Sequence, residues 1–84
     1  MRFEIGMSVL VVIAFEVDGS PVVRPAVITK VWNPDCCNLV VTLDGQNDER
    51  HGYTGNHCWM TSVHWGLEVR CVVPPARVAD TLVP

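Results

Sequence analysis

The residues best able to do chemistry are clustered. His51, His57, Cys58, His64 and Cys71 all lie between positions 51 and 71, and each can ligate a metal. Structural zinc sites need paired ligands at short spacing, such as Cys-x2-Cys, so that one turn fills two corners of a tetrahedron. That spacing is missing. His57 and Cys58 are adjacent, and on a strand adjacent side chains diverge. No metal and no other cofactor is expected. Nucleophilic catalysis would pair Cys58 with His51 or His64. A catalytic thiol needs a lowered pKa, usually from a helix N-terminus or a cation. The chain offers no helix of useful length and little concave surface, so it is expected not to be an enzyme. The acidic stretch Asp44–Glu49 lacks the alternating ligands and closing Glu of a calcium loop. It is expected to be a solvated turn.

Binding chemistry is better represented. The large rings are Phe3, Phe15, Trp32, Tyr53, Trp59 and Trp65. Trp59 alternates with Val63 and is expected in the core. Trp32 ends a strand pattern and Trp65 precedes Gly66, which puts both at rims. Rim aromatics suit a contact surface, because Trp and Tyr are enriched at interfaces. Residues 44–56 form a long polar segment with three of the six glycines. Long loops in small domains are often functional. There Arg50, His51 and Tyr53 can read the phosphate and base of a nucleotide. The candidate binding residues are therefore Trp32, Arg50, His51, Tyr53 and Trp65.

Charge narrows the partners. The chain has 84 residues and a net charge of −3, with its six basic residues scattered singly. Nucleic-acid affinity comes mainly from clustered basic charge, so this pattern argues against DNA or RNA. The longest apolar run, residues 7–15, is far shorter than a bilayer span. Glu4 before it and Glu16-Val17-Asp18 after it do not suit a signal peptide. It is expected to be a buried strand, with no membrane partner. Cys36 and Cys37 are adjacent and should face opposite ways on a strand. The four cysteines are expected to be reduced thiols.

Elements must position these residues. Valine-rich segments broken by turn residues predict strands over about 7–15, 23–32, 37–43, 57–65 and 68–73. Pro25 cannot donate to a ladder, so the start of the second strand must lie at an edge or bulge. Asp18-Gly19 and Asn33-Pro34 mark turns. Pro74-Pro75 ends the last strand, and one helical turn fits Arg77–Leu82. These elements predict an all-β domain over residues 1–75 with a tail over 76–84. The architecture expected is a small five-stranded antiparallel SH3-like barrel, with an OB-like barrel as the alternative.

The pattern Arg24-Pro25-Ala26-Val27-Ile28-Thr29-Lys30-Val31-Trp32, Asn38-Leu39-Val40-Val41, Asp44-Gly45-Gln46-Asn47-Asp48 and Trp59-Met60-Thr61-Ser62-Val63 spans about residues 22–66. It resembles a group of small uncharacterised proteins of tailed bacteriophages. The resemblance implies a viral source, an SH3-like fold and no catalytic motif. Relatives end in a Trp-His-Trp-Pro-like segment, where this chain has Val72-Val73-Pro74-Pro75. Hydrophobic residues make up 49% of the chain, more than one small core hides. Val22, Val23, Val40, Val72, Val73, Leu82 and Val83 are not all expected inside, and surplus apolar surface points to a partner. The expected function is therefore a non-catalytic phage protein, in the virion or the host cytoplasm. It would bind a phage structural protein, a host protein or itself. The alternative is an anti-defence protein that covers a host protein or sequesters a nucleotide signal.

Overall fold

A computed structural model describes residues 2–81. Four strands, β1 (Ser8–Phe15), β2 (Pro21–Asn33), β3 (Cys36–Thr42) and β4 (His57–His64), form one antiparallel sheet in the order β1-β2-β3-β4. Short 3-10 turns occupy Gly45–His51 and Pro75–Arg77, and one helical turn, α1 (Val78–Thr81), follows. The protein is thus mostly β, as its valine pattern predicts. Among the described residues no helix is long and apolar enough to cross a membrane.

The turns form where side chains satisfy the backbone. Between β1 and β2, Asp18 Oδ1 accepts from Ser20 N at 2.9 Å and from Ser20 Oγ at 2.6 Å. These bonds hold the Asp18 carboxyl below its ordinary pKa. Gly19 supplies the left-handed conformation, φ 88°. Between β2 and β3, Asn33 Oδ1 accepts from Asp35 N at 2.8 Å, a side-chain mimic of a backbone turn. Pro25 sits opposite Leu10 on β1, while pairing with β3 begins only at Ala26↔Val41. Toward β3, Pro25 therefore lies just outside the ladder, where no N–H is required.

The core gathers the inward residues of all four strands: Val11 and Ile13, Ala26 and Ile28, Cys37, Leu39 and Val41, Met60 and Val63. Phe3 joins them from the N-terminal segment, and its ring stacks on Trp65 at 4.1 Å and 12°.

The structure corrects two expectations. The fifth strand expected at 68–73 does not form. Residues 66–70 bend and turn, with Arg70 in the left-handed region at φ 67°. Among the described residues beyond Arg70 there are only isolated bridges, Val11↔Val72 and Trp65↔Val72. Even so, Val12 N donates to Cys71 O (3.0 Å), Val73 N to Leu10 O (2.9 Å) and Val72 N to His64 O (2.8 Å). This short segment lies between β1 and the end of β4 without becoming a ladder. Second, the polar stretch 44–56 is not merely loop, because Gly45–His51 coils into a 3-10 turn with Asp48 fully buried. Of the apolar residues not all expected inside, Val72 and Val73 are buried, while Val22, Val23 and Val40 are half-buried. Leu82 and Val83 lie outside the described residues. Cys36 and Cys37 are both buried.

Candidate functional site

Irregular pairing decides which side chains reach the surface. Between Cys37 and Leu39, β3 passes one residue, Asn38, while β4 passes two, Thr61 and Ser62. Ser62 takes φ 55° to fit the extra residue. One inserted residue reverses the in–out phase of a strand. Met60 therefore points inward on one side of the bulge and Val63 on the other. Trp59, expected in the core, is turned out and is 60% exposed. The same device acts on β2. Thr29 and Trp32 are extra residues between paired positions, and Trp32 is 54% exposed.

The register then builds a row across the outward face: Ser8, Val27, Val40 and Trp59. Val27 and Trp59 are exposed and Val40 is half-buried. Beside this row, Asn38 Oδ1 accepts three donors, from Trp32 Nε1 (2.9 Å), Thr61 Oγ1 (2.8 Å) and Ser62 N (3.0 Å). Lys30 Nζ sits 3.8 Å from the Trp32 ring centroid, a cation–π contact. Two exposed indoles thus share one sheet face with a fixed polar hub between the strands that carry them. Such a rigid aromatic and aliphatic surface suits protein contact, since fixed rings lose little freedom on binding.

The residues expected to read a nucleotide are split up instead. Tyr53 is a core residue, and its hydroxyl donates to Ile13 O at 2.8 Å. Burial pushes its phenol pKa up, with Arg70 working in the opposite sense. Arg50 pairs with Glu16, Nη2 to Oε1 at 2.7 Å. The His51 side chain is only 9% exposed, its Nε2 3.6 Å from the same Glu16 oxygen and without a hydrogen-bond partner. Trp65 is half-buried against Phe3, and its Nε1 donates to Pro34 O at 3.3 Å. Of the five candidates, only Trp32 stands on the outward face. It is joined there by Trp59, which sequence reasoning placed inside. The signal for Trp59 is the bulge, and strand alternation alone does not reveal it.

A cleft of about 480 Å³ between the end of β1 and the start of β4 is lined by His51, Tyr53, His57, Cys58 and Arg70. Among the described residues no three His, Cys, Asp or Glu side chains come together as a metal site. All four cysteines are unpaired thiols. The Cys37 thiol is pushed up to about 11 by burial, reinforced by neighbouring Cys36, the opposite of nucleophilic activation.

Asp48 has a structural job. Arg24 Nε and Nη2 donate to its Oδ2 and Oδ1 at 2.9 and 2.7 Å, and Asp44 N donates to Oδ2 at 2.6 Å. The Arg24 hydrogen bonds outweigh the desolvation cost and hold its pKa below the ordinary carboxylate value. Set against family models, curated proteins and solved structures, the chain matches none of them.

Proposed function

We propose that this chain is a non-catalytic bacteriophage protein that works by protein contact through the outward face of its sheet. The observation that carries the reading is the joint exposure of Trp32 and Trp59 on one face, with Val27 on β2 and Val40 on β3 in the row that leads to Trp59. Isolated exposed apolar residues are ordinary, but several large ones on one sheet face are a mark of interaction. The phage origin rests on the sequence resemblance over residues 22–66. The fold proposed is an SH3-like barrel in which the segment 70–73, though not a ladder strand, fills the place between β1 and the end of β4. Support comes from the hydrogen bonds of Val12, Leu10 and His64 to that segment. The partner class is a structural protein of the particle, a host protein or a second copy, in the virion or the host cytoplasm.

Two measurements test this together: light-scattering mass of the purified protein, and mass spectrometry of purified phage particles. Self-association, or presence in the particle, is expected. A strictly monomeric protein absent from the particle contradicts the reading. The nucleotide alternative receives less support, because Tyr53 is in the core and Arg50 is held by Glu16.

A further inference from the structure

The outward face ends at a sheet edge. Among the described residues the start of β4, from His57 to Met60, pairs with β3 alone, while at its far end His64 O accepts from Val72 N at 2.8 Å. Leu43 N donates to Asn56 O at 2.8 Å, which continues the β3–β4 ladder by one pair. In an antiparallel ladder, hydrogen-bonded pairs alternate with non-hydrogen-bonded ones. The register Thr42↔His57, Val41↔Cys58, Val40↔Trp59 follows directly from that pair. Cys58 therefore bonds across to β3, whereas the N–H and C=O of His57 and Trp59 point away from it, over the free edge. Among the described residues the one side-chain donor to the Trp59 carbonyl is the Cys58 thiol, a weak one at 3.8 Å.

Natural edge strands are usually guarded by charge, proline or a bulge. β4 reads His-Cys-Trp-Met-Thr-Ser-Val-His, with no Asp, Glu, Lys, Arg or Pro. Its guards are the bulge at Thr61–Ser62 and the Val72 segment bonded to His64, and both lie beyond Trp59. An unpaired run of backbone groups beside an exposed indole is a template for another strand.

We propose that two copies of this chain pair antiparallel along their β4 edges, with Trp59 on the two-fold axis. This assignment rests on the contact role proposed for the outward face, and it names the occupant of that face's edge. Self-complementarity favours a second copy. With Trp59 opposite the second copy's Trp59, each backbone N–H meets the other's C=O, and the two Cα atoms stand about 5.5 Å apart. His57 then faces Thr61, so no like charges meet. Both indoles fall on the same side, so the apolar row Val27–Val40–Trp59 continues unbroken into its own image. An isologous contact of this kind closes on itself and does not propagate. The junction is short, so the dimer is weak and concentration-dependent.

Sedimentation over a range of about 5 to 500 µM tests the dimer, combined with hydrogen exchange read at single residues. The mass is expected to rise from 9.3 kDa toward twice that value. Over the same range the Trp59 amide should slow by about tenfold or more, while exposed turn amides do not change. Trp59→Lys should stay at 9.3 kDa at every concentration with an unchanged far-ultraviolet spectrum. A wild-type chain that stays monomeric throughout overturns the pairing, as does a dimer whose Trp59 amide exchanges freely. Full-strength dimerisation of Trp59→Lys does the same. The exchange measurement uses the wild-type chain, so it decides the matter even where the variant does not fold. Contacts with another protein through the same face, without self-association, overturn the pairing but leave the contact role standing.

Discussion

Arg24 and Asp48 meet through two parallel contacts, 2.9 Å and 2.7 Å, that tie the start of β2 to the 3-10 turn 24 residues later. Asp48 is fully buried and Arg24 is about three-quarters buried. Removing one partner of a buried pair leaves the other charge uncompensated, at a cost of about 3 kcal/mol. Asp48→Ala is expected to lose that much in urea unfolding, and more than Asp44→Ala.

The same pair sets an acid limit. An unshifted Asp titrates near 3.8, and Asp48 titrates lower in the fold. A depressed folded pKa stabilises the fold fully above the unfolded value, and the gain is lost as pH falls through the folded value. Wild type is therefore expected to lose stability below about pH 4, through a step that Asp48→Asn lacks. Unfolding midpoints measured from pH 7 down to pH 2 check this. Equal acid sensitivity in both proteins contradicts it.

Asn38 is expected to matter more than its size suggests. Its one side-chain oxygen serves Trp32, Thr61 and Ser62. Asn38→Ala removes all three acceptor contacts at a buried position and should cost about 2 kcal/mol. It should also loosen the Trp32 indole, read as increased quenching of tryptophan fluorescence. Trp32→Phe removes only one of the three bonds and should cost clearly less.

The four strands of the sheet were legible from the valine pattern, which also predicted a strand at 68–73 that does not form, and the polar turns were legible from Asp-Gly and Asn-Pro. Phase was not. Alternation along β4 places Trp59 beside Val63, and the bulge opposite Asn38 separates them. That bulge depends on a left-handed Ser62, a residue with no strong preference for that conformation, so the local sequence does not announce it. Asp48 hid for a related reason. In sequence it is one acid among several on a polar loop, and only the fold brings Arg24 across to it. The site was half-legible. Trp32 was found from its place at a strand end, whereas Tyr53 looked like a loop aromatic until its hydroxyl reached Ile13 O.

Tyr53→Phe is expected to cost about 1 kcal/mol, because the buried Ile13 carbonyl loses its donor. The wild-type phenol should ionise above its ordinary value of 10.0. Its folded pKa is raised, so this contribution is present below the unfolded value and is lost as pH rises through the folded one. Ultraviolet titration of the tyrosinate in folded and urea-unfolded protein checks both statements.

Thiol reactivity should separate the cysteines by position. Cys58 is half-buried, whereas Cys36 and Cys37 are buried and the Cys37 thiol is pushed up to about 11. At pH 8, maleimide is expected to label Cys58 and the equally half-buried Cys71 first, and Cys37 only on unfolding. Mass spectrometry of digested, labelled protein gives the order.

The most direct test of the contact role is photo-cross-linking from the outward face. A benzophenone side chain replaces Trp59 in one sample and Glu49, exposed on the 3-10 turn, in another. Both are expressed during phage infection and irradiated. The expected result is a discrete adduct from position 59, to a second copy or to an identified phage or host protein, and none from position 49. Equal adducts from both positions, or none from position 59, contradict a face built for contact.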